Sequence, residues 1–489
     1  MSLLLGKNKK MKKKFYITTS IAYTNAPPHI GFALELIQAD VLARHHRLLG
    51  EDVFFLTGTD EHGQKVLRAA EKCKKKPEDF CDELSNKFKG LSKVLNISND
   101  DFIRTTDKKR HWPTVKKVWL KLKENGDIYK MKYRGLYCVG CESFIKEKDL
   151  VDGKCPNHQQ RPEIVEEENY FFKLSKYSDK IKKEIKDDKI KVFPKSRKNE
   201  ILSFISQGVE DISCSRSKEK LRWGIPVPDE EDQIIYIWFE ALLNYISALG
   251  FAKNSIKFRK LWPAEVHCVG KDIFRFHILL WPAILSALKL PLPKNVLVHG
   301  FITSNGQKMS KSLGNIVCPV ELVKKYGIDP ARYFLLREIP STEDGDFTYE
   351  KFEERYNSDL ANGLGNLVAR VITLGEKLKV KSSKSRTTTK NSKLKVKIDK
   401  AQKDCKKSLD EFKFNEALIS IWDLISFCDH YIEKEQPWKE SKNQKEVISN
   451  LLFAILEIAK ILEPFLPETS EKILKQIKNK RSKPIFPRI

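Results

Sequence analysis

The chain has 489 residues, with 90 Lys and Arg against 65 Asp and Glu, giving a formal charge of +25; 41% of residues are apolar and 10% aromatic. This composition excludes a disordered chain and allows about three domains with large cores. The positive excess suits a polyanionic partner, because neutralising phosphates releases counterions, although a lysine-decorated surface gives the same sum. No apolar run reaches the roughly 18 residues that a membrane span needs. The opening MSLLLGKNKKMKKKF sets its leucines before its lysines, the reverse of a secretory signal, and lacks arginine for a transit peptide. A cytoplasmic location is therefore expected.

After a basic tail (1–14), KFYITTSIAY (14–23) reads as a buried strand. A turn with Asn25, Pro27 and Pro28 follows, then a helix with apolar positions at Leu34, Ile37, Val41, Leu42 and Leu48. DVFFLTGTD (52–60) reads as the next strand, so the order strand, helix, strand predicts a right-handed crossover in a parallel sheet. Similar apolar strands recur at AEVHCVG (264–270) and NVLVHGF (295–301). Between 127 and 222 the texture changes to cysteines, charges and aromatics, as in a module inserted into the sheet domain. From 361 onward the period is helical: FNEALISIWDLISFCDHYIEKEQ puts Ala417, Ile421, Leu424, Cys428 and Ile432 on one stripe. The basic, polar segment 379–397 reads as an exposed loop.

Two short stretches carry phosphate chemistry. His29 and Gly31 in PPHIGF lie where a strand hands over to a helix; an imidazole there can bond a phosphate and a glycine admits a ribose or base. Taken alone, His-x-Gly is a weak signal and favours the helix-cap reading over the phosphate one. In HGFITSNGQKMSKSLGN (299–315), Lys308 and Lys311 sit in a Gly/Ser-rich loop, suited to a transient polyphosphate charge. Elsewhere, CVGC (138–141) and CPNH (155–158) form two ligand turns separated by 13 residues. Three thiolates and one imidazole (Cys138, Cys141, Cys155, His158) fit a closed tetrahedral zinc site with a structural role. A reducing compartment disfavours disulfides among the ten cysteines.

PHIG and KMSKS together resemble the two signatures of class I aminoacyl-tRNA synthetases. The surrounding FLTGTDEHGQK, WGIPVP, YIWFEALLNYISALG, VGKDIFRFHILLWPAIL and the final FPRI are most similar to methionyl-tRNA synthetases. The resemblance covers nearly the whole chain. It implies an α/β fold: a Rossmann-type parallel-sheet catalytic domain (15–126 and 223–320) split by a zinc-knuckle insertion (127–222). A segment contacting the tRNA stem (321–360) and an all-α anticodon-binding bundle (361–489) complete it. The activity implied is attack of the methionine carboxylate on the α-phosphate of ATP, with Mg2+ accompanying the nucleotide, then transfer to the 3′ end of tRNA(Met). No protein nucleophile is needed; positioning and charge stabilisation do the work.

By resemblance, His29, Gly31, Lys308 and Lys311 are catalytic, and Gly270, Met309, Ser310 and Ser312 also touch ATP. Asp60 holds the substrate ammonium, and Ile21, Tyr23, Trp238, Ala241, Tyr245 and His277 form the methionine pocket, where aromatic walls suit a polarisable sulfur. Trp238, Ala241 and Tyr245, three to four residues apart, are expected on one helical face. Asn366 and Arg370, one turn apart, and Trp438, after Pro437, read the CAU anticodon. The insertion is too short for the editing module of leucyl, isoleucyl and valyl relatives, which favours methionine. A monomer is expected, because in the family dimerisation belongs to an appended oligonucleotide-binding domain.

Two residues depart from the family pattern. Phe32 stands where a second signature histidine is usual, and Glu240 stands where an aspartate is usual, a change expected to matter little. Two rival readings stay open: a non-catalytic tRNA-binding paralogue, in which Phe32 would mark lost activity, and, from the same superfold, a small nucleotidyltransferase that uses the histidine signature alone. The insertion and the bundle argue against the second.

Overall fold

A computed structural model describes residues 12–156, 159–309, 314–380, 389 and 391–489. The chain divides into two compact units, one comprising 1–27, 43–89 and 98–296, the other 28–42, 90–97 and 297–489.

The first unit is built on a six-stranded sheet, in the order Asp101–Arg104, Asp52–Asp60, Lys14–Tyr23, Val266–Gly270, Asn295–His299 and Lys191–Phe193. The first four run parallel. The central strand Lys14–Tyr23 is flanked on both sides and almost wholly buried, which is why it reads as a continuous apolar and threonine run without alternation. Its register against Asp52–Asp60 slips between Thr18 and Ile21, a bulge that re-aims the last residues. Beyond it Ile21 lies opposite Gly58, and Tyr23 opposite Asp60. Gly58 has no alternative: a Cβ there would stand 2.1 Å from the Ile103 carbonyl oxygen of the neighbouring strand.

The range read as an insertion contains a four-stranded antiparallel sheet, ordered Ser143–Ile145, Ile128–Cys138, Glu163–Phe172 and Ile212–Ser213. The same range also contributes Lys191–Phe193 to the edge of the central sheet. Arg216, buried, makes a paired contact with Glu167 (3.0 Å for both bonds) and lies over the Tyr137 ring at 4.0 Å, so its charge is both neutralised and stacked.

The second unit holds helices Asn366–Lys377, Ser392–Asp410, Phe414–Glu435, Gln444–Leu462 and Pro467–Asn479. The stripe read from the sequence is its core: Ala417, Ile421, Leu424, Cys428 and Ile432 are all buried. A fully buried arginine ties the unit together. Arg332, on helix Ile328–Arg337, pairs with buried Asp40 at 2.8 Å and donates to the carbonyls of Phe465, Pro464 and Leu95 at 2.7, 3.0 and 3.2 Å. Such a pair is tolerable only because its remaining donors are satisfied. No helix among the described residues is long and apolar enough to cross a membrane.

Candidate functional site

Asp60 ends its strand next to Tyr23, with 5% of its surface exposed. Burial, then the nearby carboxylates of Glu240, Glu61 and Glu142, push its pKa well above the usual carboxylate range. Glu61 spends its own charge elsewhere, on Arg104 at 2.7 and 2.8 Å. Asp60 is thus an acid held in excess of local cations, an arrangement that favours an incoming ammonium group.

An aromatic cluster stands in the same unit. The Trp238 ring stacks on Phe276 at 4.1 Å with 3° between planes. The Trp238 indole Nε1 is buried without a hydrogen-bond partner among the described residues. Tyr245 Oη lies 2.7 Å from His277 Nε2, and His277 Nδ1 lies 3.0 Å from the Ile273 carbonyl. The carbonyl can only accept, so the His277 proton sits on Nδ1 and the Tyr245 hydroxyl donates. Behind Tyr245, His267 bonds the Thr18 hydroxyl at 2.7 Å and accepts from Trp281 Nε1 at 3.2 Å. Burial, reinforced by His277, drives its pKa well below the ordinary histidine value, so it is a neutral structural ring.

The expected single helical face for Trp238, Ala241 and Tyr245 is broken. Helix Ile237–Ala241 stops and Asn244–Ser247 begins after a turn, because the Asn244 side-chain amide donates to the Ala241 carbonyl at 2.7 Å. Trp238 and Tyr245 nevertheless converge on one segment, through Phe276 and His277 at the start of a π-helical turn, Phe276–Leu280. Ile21 and Tyr23 lie past the bulge, partly exposed. Gly270 is the buried last residue of its strand.

Glu240, fully buried, bridges two histidines: His62 Nδ1 at 2.8 Å and His111 Nε2 at 2.7 Å, with His111 Nδ1 3.0 Å from the Ser247 hydroxyl. Burial opposes its ionisation, but His62 and His111 outweigh it and hold its pKa below the usual range. The longer side chain at this position therefore connects three segments. Neither His62, His111 nor Phe276 was singled out from the sequence; local spacing rules do not reach the Glu240 partners, 129 and 178 residues away.

The knuckle brings Cys138, Cys141 and Cys155 together, all three sulfurs within 4.8 Å of one another. Cys141 and Cys155 are 3.5 Å apart at sulfur. Burial and the neighbouring thiols push Cys141 up to about 12 and raise Cys138, so these two thiols resist ionisation unless a cation compensates them. Three soft donors this close fit a zinc-type ion. The fourth expected ligand, His158, lies outside the described residues.

In the second unit, helix Ile30–Leu48 begins right after His29. His29 is exposed, and its Nδ1 accepts from the Gly31 N–H at 3.1 Å, which leaves Nε2 carrying the proton. The cap reading and the phosphate reading thus coexist. A Cβ at Gly31 would come within 2.9 Å of that ring. Phe32 is partly exposed on the first turn. Lys308 is exposed at the end of a short hairpin and Met309 follows it, partly buried. Ser310, Lys311 and Ser312 lie outside the described residues. In the bundle, Asn366 is exposed, and the Arg370 guanidinium sits 5.5 Å from the Trp438 ring centre while pairing with Glu433 at 2.7 Å. Trp438 is 40% exposed.

Residues 15–163 and 148–372 match the family described as tRNA synthetases class I (M), and 391–486 match the anticodon-binding domain of tRNA ligase. With the parallel sheet and the helical bundle, these matches define a class I aminoacyl-tRNA synthetase. The chain is 45% identical to the methionine–tRNA ligase of Thermotoga maritima over 475 residues, covering 95% of this chain and 75% of that protein. It is 41% identical to that of Brucella suis over 474 residues, covering 95% and 91%. The solved Mycobacterium tuberculosis methionyl-tRNA synthetase in complex with methionyl-adenylate superposes with a TM-score of 0.90 at 38% identity, covering 96% of this chain and 95% of the other. The chain belongs to the methionine–tRNA ligase family.

Proposed function

We propose that the protein activates L-methionine with ATP to methionyl-adenylate, releasing pyrophosphate, and transfers methionine to the 3′ end of tRNA(Met). The observation that carries this reading is Asp60, a buried acid with carboxylate neighbours at the end of its strand next to Tyr23, in the same unit as an aromatic cluster suited to a thioether. In this reading Asp60 binds the α-ammonium. Ile21, Tyr23, Trp238, Ala241, Tyr245 and His277 enclose the side chain. The donated hydrogen bond from Tyr245 fixes the His277 ring.

His29, through Nε2–H, Gly31 and the amides of the following helix serve the phosphates, with Gly270 at its strand end and Lys308, Met309, Ser310, Lys311 and Ser312 on the signature loop. Charge develops on the α-phosphate as the carboxylate attacks, and these donors stabilise it without being consumed. Mg2+ accompanies ATP. Asn366, Arg370 and Trp438 read the anticodon, the indole as a stacking platform backed by the Arg370 cation. Cys138, Cys141 and Cys155, with His158, would hold one zinc ion whose function is structural. We expect a cytoplasmic monomer, which sedimentation tests.

Methionine-dependent exchange of pyrophosphate into ATP, followed by charging of tRNA(Met), checks the reading. Both activities are expected. Binding of tRNA without any exchange would instead mark a non-catalytic paralogue.

A further inference from the structure

Glu142 follows the second knuckle cysteine, and its side chain leaves the knuckle. Its Oε1 accepts from the Tyr23 hydroxyl at 3.0 Å and from the backbone N–H of Lys65 at 2.6 Å; its Oε2 accepts from the Tyr137 hydroxyl at 2.8 Å. The carboxylate is buried, 3% exposed, so bonds of this kind are not exchangeable for water. Its backbone carbonyl in turn accepts from the hydroxyl of Tyr236, the residue just before helix Ile237–Ala241. The residue also holds a left-handed backbone, φ 51°, which a non-glycine residue adopts at a cost and keeps where its surroundings demand it.

The space around this contact is closed. A Cβ on Gly63, itself at φ 102°, would stand 2.6 Å from the Tyr23 hydroxyl, 2.9 Å from Ile237 and 3.3 Å from Glu142 Oε1. Gly63 thus lets the tyrosine and the glutamate meet directly after the strand that ends in Asp60. We infer that Glu142 is a positioning residue for methionine: it clamps the Tyr23 ring and the start of helix Gln64–Lys72, and so sets the mouth of the methionine pocket from the knuckle side. The inference rests on the methionine-pocket reading of Tyr23 and Asp60. Glu142 touches no reacting atom; it acts through Tyr23.

The test compares wild type with E142A, E142Q, Y23F and the E142A/Y23F double variant. It measures KM for methionine and for ATP in pyrophosphate exchange, methionine binding by equilibrium dialysis, and metal content. In E142A the methionine KM and Kd rise at least tenfold, while the ATP KM stays within twofold and the metal content matches wild type. In E142Q the amide oxygen still accepts from Tyr23 and Lys65, so methionine binding stays within threefold of wild type. The double variant is no worse than E142A alone, because the glutamate acts through the tyrosine hydroxyl. Unchanged methionine affinity in E142A overturns the proposal, as does equal loss in E142A and E142Q together with lost metal, which marks a purely structural role. Wild-type protein without any methionine-dependent exchange sinks the ligase reading and the proposal with it, so the two failures are distinguishable.

Discussion

Asp60 keeps its proton to higher pH in the folded protein than in the unfolded chain, because burial and three neighbouring carboxylates resist its ionisation. The native state therefore binds more protons, and stability falls as pH rises from the ordinary carboxylate range through the raised value. Asp60→Asn is expected to melt at a higher temperature than wild type at neutral pH, while kcat/KM for methionine drops roughly 10- to 100-fold, the value of one charge-assisted bond of about 1.5–3 kcal/mol. In wild type, KM for methionine should fall as pH rises through the same window, since the ammonium pairs with the ionised acid. A flat profile would count against Asp60 as its partner. Phe32 poses a different residue-scale question. One missing phosphate donor is worth about 2–4 kcal/mol in comparable sites, yet His29 presents a protonated Nε2 at the helix start. Phe32→His is expected to change the exchange rate by less than about tenfold; a gain of several orders would show that nothing compensates for the phenylalanine.

Glu240 joins helix Ile237–Ala241 to His62, just past the strand ending at Asp60, and to His111, at the head of helix Trp112–Glu124. An aspartate is one methylene shorter and cannot keep both bonds at 2.8 and 2.7 Å without moving one of these elements. Glu240→Asp, the family's usual residue, is therefore expected to destabilise this chain by about 1–3 kcal/mol, the cost of leaving one buried partner unsatisfied. A loss of that size in thermal melting would show that the glutamate matters more than the sequence alone implies. Its pH dependence runs opposite to that of Asp60: Glu240 has a lowered pKa, so its contribution is present above the ordinary carboxylate range and is lost as pH falls through the lowered value. Acid melting curves of wild type and variant should converge there. The knuckle is the other element with a separable test. Chelation is expected to release one zinc, open the segment around Cys138–Cys155 to proteolysis and impair aminoacylation. Full activity in metal-free protein would show that the enzyme does not need the metal.

For the whole molecule, the proposed roles put activation and decoding on different residues. Arg370→Ala and Trp438→Ala should weaken charging of tRNA(Met) at least tenfold, the order of one stacked base at ~1–3 kcal/mol, while methionine-dependent exchange stays within twofold. Loss of exchange would show that these residues support folding instead. With +25 net charge, tRNA affinity should also fall steeply with salt, linearly in log–log form.

The sequence by itself determined the class of fold and the chemistry. The strand runs at 14–23 and 52–60, the bundle stripe from Ala417 to Ile432, the ligand turns at 138 and 155 and the two signature strings are all local patterns, set by side-chain period or by fixed spacing. Only the tertiary structure decided the partners. Phe276 under Trp238, the two histidines on Glu240, the neutral His267 behind Tyr245 and the reach of Glu142 to Tyr23 join residues 22 to 178 positions apart, on elements with no shared period. Sequence spacing encodes which face a residue occupies; which charge or hydroxyl meets it there depends on chain crossings that only packing fixes.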